Sequence, residues 1–112
     1  MDVNTVKENQ VMIVSVSGRI DAVSCADLEN RLNDLINKDE RRLILDMKEV
    51  FYISSAGLRV LLAVAQQLHG NGRVTLACPQ ENVREILEIA GFDTIMDIVD
   101  DMDAAREDMA KP

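Results

Sequence analysis

The chain alternates short β-branched runs with longer stretches whose apolar residues recur every three or four positions. Residues 11–16 read VMIVSV and stop at Ser17-Gly18, which predicts a strand with a terminator. A weaker strand is predicted over residues 3–6, with Glu8-Asn9 as the turn of an opening hairpin. Ser24 then stands as a helix N-cap with Asp27 three residues on, the spacing of a capping box. Leu28, Leu32, Leu35 and Ile36 form the apolar stripe of a first helix. Residues 42–46 hold three consecutive large aliphatics, which predicts a short strand covered on both faces and ending near Asp46. A second helix over residues 55–69 carries Leu58, Leu61, Leu62, Ala65 and Leu68 on one side, and Val60 and Val64 widen the stripe. Gly70-Asn71-Gly72 ends it, since glycine readily takes the left-handed C-cap conformation. Residues 73–77 predict another strand. Pro79 opens a third helix through Val83, Ile86, Leu87 and Ala90, and Gly91 closes it, with Phe92 as its apolar contact. Residues 95–99 predict a last strand. Residues 100–112 are acidic, with a weak helical pattern at Met102, Ala105, Arg106 and Met109, and read as solvated surface.

The resulting order, β-β-α-β-α-β-α-β-α, predicts an α/β domain spanning residues 1–112, with a mixed sheet of four to five strands and about four helices. Strands alternating with helices imply parallel pairs joined by right-handed crossovers, and the hairpin adds an antiparallel edge. At 112 residues the chain suits one domain with its own core. That core is aliphatic, because aromatics are 3% of the chain and tryptophan is absent. The same scarcity removes the stacking platforms that single-stranded nucleic acid needs. A net charge of -8 repels phosphate backbones and anionic membranes, so no direct nucleic-acid contact is expected. No membrane insertion is expected either: the Leu-rich stretch at 58–68 is broken by Arg59, Gln66 and Gln67. The first ten residues lack the apolar centre of a signal peptide, which points to the cytoplasm. Cys25 and Cys78 form no CxxC and no metal spacing, and are expected as buried free thiols.

Chemistry concentrates in residues 43–62, LILDMKEVFYISSAGLRVLL. Here Ser54 and Ser55 fall at the start of a buried helix, at the carboxyl edge of a parallel strand, where sites in open α/β sheets gather. The first turn of a helix has free N–H groups and about half a positive charge, so it accepts an anion readily. Gly57 within that turn costs about 1 kcal/mol relative to alanine, and close approach of a partner or phosphate is one reason to bear it. The plain reading is that a serine there is an N-cap, and local chemistry alone does not separate Ser55 from Ser54. Asp21 and Asp46 are the one carboxylate pair that invites acid–base chemistry. The simpler roles are that Asp21 orders the loop before the first helix and Asp46 ends a strand. His69, the only histidine, lies near a helix C-terminus with no placed Ser or Cys partner, and no GxxxxGK loop exists. No catalytic residue, metal ligand or cofactor site is assigned.

The segment resembles the signature of STAS-domain anti-sigma factor antagonists, through Leu45, Asp46, Val50, Ile53, Ser54, Ser55, Ala56, Gly57 and Leu58. Gly18-Arg19-Ile20-Asp21 resembles the family's Gly-x-(Leu/Ile)-Asp junction between strand and first helix, and the element order fits over nearly the whole chain. The family often has Asp directly before the phosphorylated serine; Ser54 stands there in this chain. The resemblance implies a binding switch and not an enzyme. Its phosphoacceptor falls on Ser55, with Ser54 the lesser candidate, and its contact surface on Asp21, Asp46, Ser54, Ser55, Gly57, Leu58 and Arg59. The implied partners are an anti-sigma factor that is also a serine-protein kinase using ATP and Mg²⁺, and a PP2C-type phosphatase. The alternative is a STAS interaction module that is never phosphorylated, as in a transporter or a stressosome-like scaffold.

Overall fold

The computed structural model describes residues 1–111. The elements run β1 (Asp2–Glu8), β2 (Val11–Ile20), α1 (Cys25–Asn37), β3 (Arg42–Ile53), α2 (Ser55–Leu68), β4 (Arg73–Ala77), α3 (Glu81–Ile89), a 3₁₀ turn (Phe92–Thr94), β5 (Asp97–Val99) and α4 (Met102–Met109). Strands lie in sequence order, β1-β2-β3-β4-β5, with β1 antiparallel to β2 and every later pair parallel. When each crossover steps the same way with the same hand, every helix lands on the same face. Accordingly α1, α2 and α3 pack together on one side, through Leu28, Leu32, Leu61, Val64, Val83 and Leu87 against Val14, Leu43, Leu45 and Leu76. The strand order never reverses, so the sheet lacks the crevice of a doubly wound fold.

The opposite face is covered by α4. Ala105 and Met109 bury against Ile13, Ile44 and Ala77, and this second cluster is why both faces of the 42–46 run are apolar. The acidic tail is therefore not simply a solvated surface, because its apolar residues are needed to seal the sheet. Polar bonds fix it in place. Asp108 is 6% exposed and accepts from Thr75 Oγ1 at 2.5 Å, while Arg73 Nη1 donates to the Asp108 carbonyl at 2.8 Å. Arg42, at the start of β3, donates to the carbonyl of Met109. Asp101 caps the helix by accepting from the Ala104 N–H at 2.7 Å.

Several boundaries differ from the sequence reading. β1 spans seven residues, and the turn falls on Asn9-Gln10, whose φ values of 50° and 69° suit a tight hairpin matched to strand twist. Pro79 precedes α3, whose N-cap is Gln80, and β5 is only three residues because Phe92–Thr94 coils into a 3₁₀ turn first. Cys25 and Cys78 are free but half-buried, not fully enclosed. Burial still pushes the Cys78 thiol above its ordinary range, which keeps it a weak nucleophile.

The largest difference is β3. It does not end near Asp46 but runs seven residues further, paired with β2 to the end. Two register shifts carry it there. Between Ser15 and Ser17 the partner on β3 advances from Asp46 to Glu49, and between Gly18 and Arg19 from Val50 to Tyr52. Each is a bulge with an extra residue on β3. Gly18, at φ +99°, supplies the backbone freedom opposite the second. β4 stops at Ala77, so the end of β3 has no strand on that side. Side-chain amides from the start of α3 stand in: Gln80 donates to the Lys48 carbonyl at 2.9 Å, and Asn82 to the Phe51 carbonyl at 3.0 Å.

Replacing Asp108 with alanine removes the acceptor for Thr75, itself fully buried, and is expected to destabilise the fold by about 1–3 kcal/mol. Urea denaturation should show this as a lower midpoint with an unchanged slope.

Candidate functional site

Helix α2 begins where the end of β3 turns back over the end of β2. The Ser54 N–H donates to the Ile20 carbonyl at 2.8 Å, tying the helix start to the neighbouring strand. Ser54 is the N-cap: its backbone is extended and its Oγ accepts from the Gly57 N–H at 3.2 Å. Gly57 is buried, and a Cβ there would lie 2.7 Å from Ile20 Cγ2 and 2.9 Å from Ile53 Cγ1. The reason for this glycine is thus internal: the helix backbone sits directly on two core isoleucines. Close approach of an outside group is not required to explain it.

The two serines are now distinct. Ser54 is half-buried and its hydroxyl oxygen accepts the cap bond from the Gly57 N–H. Ser55 is exposed at the first helical position, and its hydroxyl has no hydrogen-bond partner among the described residues. Leu58 is half-buried and Arg59, one turn beyond Ser55, is exposed.

Asp21 orders the adjacent loop. Its Oδ1 accepts from the Val23 and Ser24 N–H groups at 3.0 and 2.9 Å. Ser24 Oγ donates to the Arg19 carbonyl at 2.7 Å and accepts from the Asp21 N–H at 2.9 Å. The predicted capping box does not form, because the Ser24 hydroxyl is committed to this loop; Asp27 pairs with Arg31 at 3.2 Å instead. The hydrogen bond from the Ser24 N–H holds the Asp21 carboxyl below the usual aspartate range, with Val23 and Arg19 acting in the same direction.

Asp46 stands apart from this group. It is 4% exposed, mid-strand beside Ser15, and pairs with Lys48, whose ammonium this bond holds above its usual range. Seven residues of strand, roughly 20 Å, separate it from the end of β3 at Ile53. It is therefore neither beside Ser55 nor paired with Asp21, and no Asp21–Asp46 carboxylate pair exists. Among the described residues there is also no cluster of three or more His, Cys, Asp or Glu side chains placed to hold a metal.

Sequence reasoning missed three exposed apolar residues around the helix start. Val23, lifted out by the Asp21 loop, is 89% exposed; Phe51 and Tyr52 are 50% and 37% exposed. Both aromatics face solvent because the second bulge breaks the alternation of β3. Arg19 lies over Tyr52, 4.3 Å from the ring centroid, and 6.0 Å from that of Phe51. Consecutive aromatics in a chain so poor in them are the one signal that pointed here.

The STAS domain profile matches residues 2–105. The chain belongs to the STAS domain family. Within it, the chain is 38% identical over 100 residues to BtrV of Bordetella bronchiseptica, a candidate anti-sigma factor antagonist, covering 88% of this chain and 86% of that one. The crystal structure of an anti-sigma factor antagonist from Mycobacterium paratuberculosis superposes with a TM-score of 0.92 at 23% identity, covering 98% of this chain and 94% of that one. The unphosphorylated form of the anti-sigma factor antagonist SpoIIAA shares the fold at a TM-score of 0.74 and 14% identity, over 96% of each chain. These solved structures bear out the α/β architecture and its mixed sheet. Among the described residues no helix is long and apolar enough to cross a membrane.

Two measurements check this geometry. Gly57→Ala should destabilise the protein by about 1–3 kcal/mol through overpacking, despite alanine's better helix propensity, read as a lower thermal midpoint. A depressed aspartate contributes order above its unfolded value that is lost as pH falls through the folded one. The Val23 and Ser24 amide resonances should therefore hold constant down to the ordinary aspartate range and titrate together only below it.

Proposed function

We propose that this chain is an anti-sigma factor antagonist working as a phosphorylation-controlled binding switch, with Ser55 as the acceptor. One observation carries the reading. At the helix start, one serine hydroxyl is consumed as a cap and the next stands exposed and unbonded, beside an apolar rim. The unphosphorylated face is then Ser55, Leu58 and Arg59 with the Asp21 loop, its Val23, and Phe51 and Tyr52. Asp46 and Gly57 support the fold beneath it and do not contact a partner; Ser54 contributes its cap. The chain binds and does not catalyse; its partner is an anti-sigma factor that is itself a serine kinase, and a PP2C-type phosphatase reverses the modification in the cytoplasm.

The physics is local. Phosphate adds about -1.5 to -2 charges and three strong acceptor oxygens. The helix N-terminus tolerates that charge within the free protein, with a gain of about 0.3–1 kcal/mol from the dipole. At a closely packed apolar interface the same group must lose its water. A penalty of about 3 kcal/mol weakens binding on the order of a hundredfold. No change of fold is needed.

The test is incubation with candidate histidine-kinase-like serine kinases from the same organism, with ATP and Mg²⁺, followed by intact mass. The expected result is one added phosphate, abolished in Ser55→Ala and retained in Ser54→Ala, with about a hundredfold loss of kinase binding in Ser55→Asp. Phosphate that persists in Ser55→Ala, or full-strength binding by Ser55→Asp, would overturn the reading. A chain that is never modified by any such kinase would instead be a constitutive interaction module.

A further inference from the structure

Cations in this acidic chain are scarce and mostly taken. Among the described residues, nine of the twelve lysine and arginine side chains lie in ion pairs, and Arg42 donates to backbone carbonyls. Arg59 is an exception: exposed on α2, it has no ion-pair or hydrogen-bond partner among the described residues. Lys38, just past the end of α1, is the other.

Position gives Arg59 its meaning. It follows Ser55 by four residues, so the two side chains lie on one face of α2, a turn apart. In such pairs the order with the anion nearer the N-terminus is the favourable one. The anion is missing. Helices α1, α3 and α4 carry Asp27, Glu81 and Asp103 in their first turns, and α2 carries no acid there.

We propose that Arg59 is the internal counter-ion of phosphorylated Ser55, its guanidinium pairing with the phosphate oxygens across one helical turn. The inference rests on Ser55 being the acceptor. A guanidinium forms two parallel hydrogen bonds to a phosphate where an ammonium makes only a point contact. Once so engaged, Arg59 no longer faces a carboxylate on a docking partner. Phosphorylation then adds an anion to the docking face and withdraws a cation from it in the same event. Arg59 is thus a positioning residue for the modified state.

The experiment needs no kinase. Phosphoserine is placed at position 55 of the full chain by genetic code expansion, and its second ionisation is followed by phosphorus NMR at low salt. Arg59→Ala should raise the phosphate proton affinity two- to fivefold relative to the parent, while Arg59→Lys recovers only part of the difference. Added salt at 0.5 M should shrink the gap, as screening requires. Thermal unfolding of the unphosphorylated Arg59→Ala protein should match the parent, which separates pairing from folding. An identical ionisation in parent and Arg59→Ala overturns the inference. That failure leaves Ser55 as acceptor untouched, whereas failure of kinases to modify Ser55 leaves the phosphorus result standing and removes the switch.

Discussion

The seating of the α2 backbone on Ile20 and Ile53 is the constraint from which the rest of the site follows. A helix whose first turn lacked Gly57 could not approach the ends of β2 and β3 so closely. The Ser54 N–H would not reach the Ile20 carbonyl, and Ser54 would not be held where it caps the helix. With the cap fixed, the next hydroxyl has nowhere to bond inward and stands in solvent. An apolar contact in the core thus decides which of two adjacent serines is accessible to chemistry.

The same constraint depends on the length of β3. Its last residues rise beyond β4, and they are stable there because Gln80 and Asn82 replace the missing strand. The overhang is what brings Phe51 and Tyr52 level with the start of α2. Its bulges turn both rings outward, and Arg19 covers them from β2. The Asp21 loop lies beside this overhang and is held by short-range bonds that leave Val23 in water. The apolar rim and the free hydroxyl are consequences of one stepped sheet edge.

Much of this was legible in the residue pattern. The helices α1 and α2 carry clean stripes, and the strand cores at 11–16 and 73–77 are β-branched runs with clear stops. The extension of β3 was hidden for a physical reason. After Met47 its buried residues are Val50 and Ile53, three apart, which fits neither a strand period of two nor a helix period of 3.6. Bulges produce that spacing, and bulges are set by cross-strand register, which no local window contains. The Ser24–Asp27 spacing misled for a related reason: a residue five positions back, Arg19, claimed the hydroxyl first. The role of α4 was obscured because two apolar residues, Ala105 and Met109, suffice to seal a small patch of sheet. The motif points to the start of α2 and also includes Asp46, which is buried mid-strand and paired with Lys48. Local chemistry did not distinguish the two serines, and only the resemblance favoured Ser55; the cap bond to Gly57 is what separates them structurally.

The antiparallel pairing of β1 with β2 has a practical side. Asp2 pairs with Ser17, and Met1 lies against Gly18, so the amino terminus emerges at the overhanging end of the sheet. The end of α4 is held by Arg42 at the opposite end. Any polypeptide joined ahead of Met1, an affinity tag included, would leave the protein next to the exposed rim of Phe51 and Tyr52 and shade it. One joined behind α4 would depart from the far pole and leave that rim unobstructed.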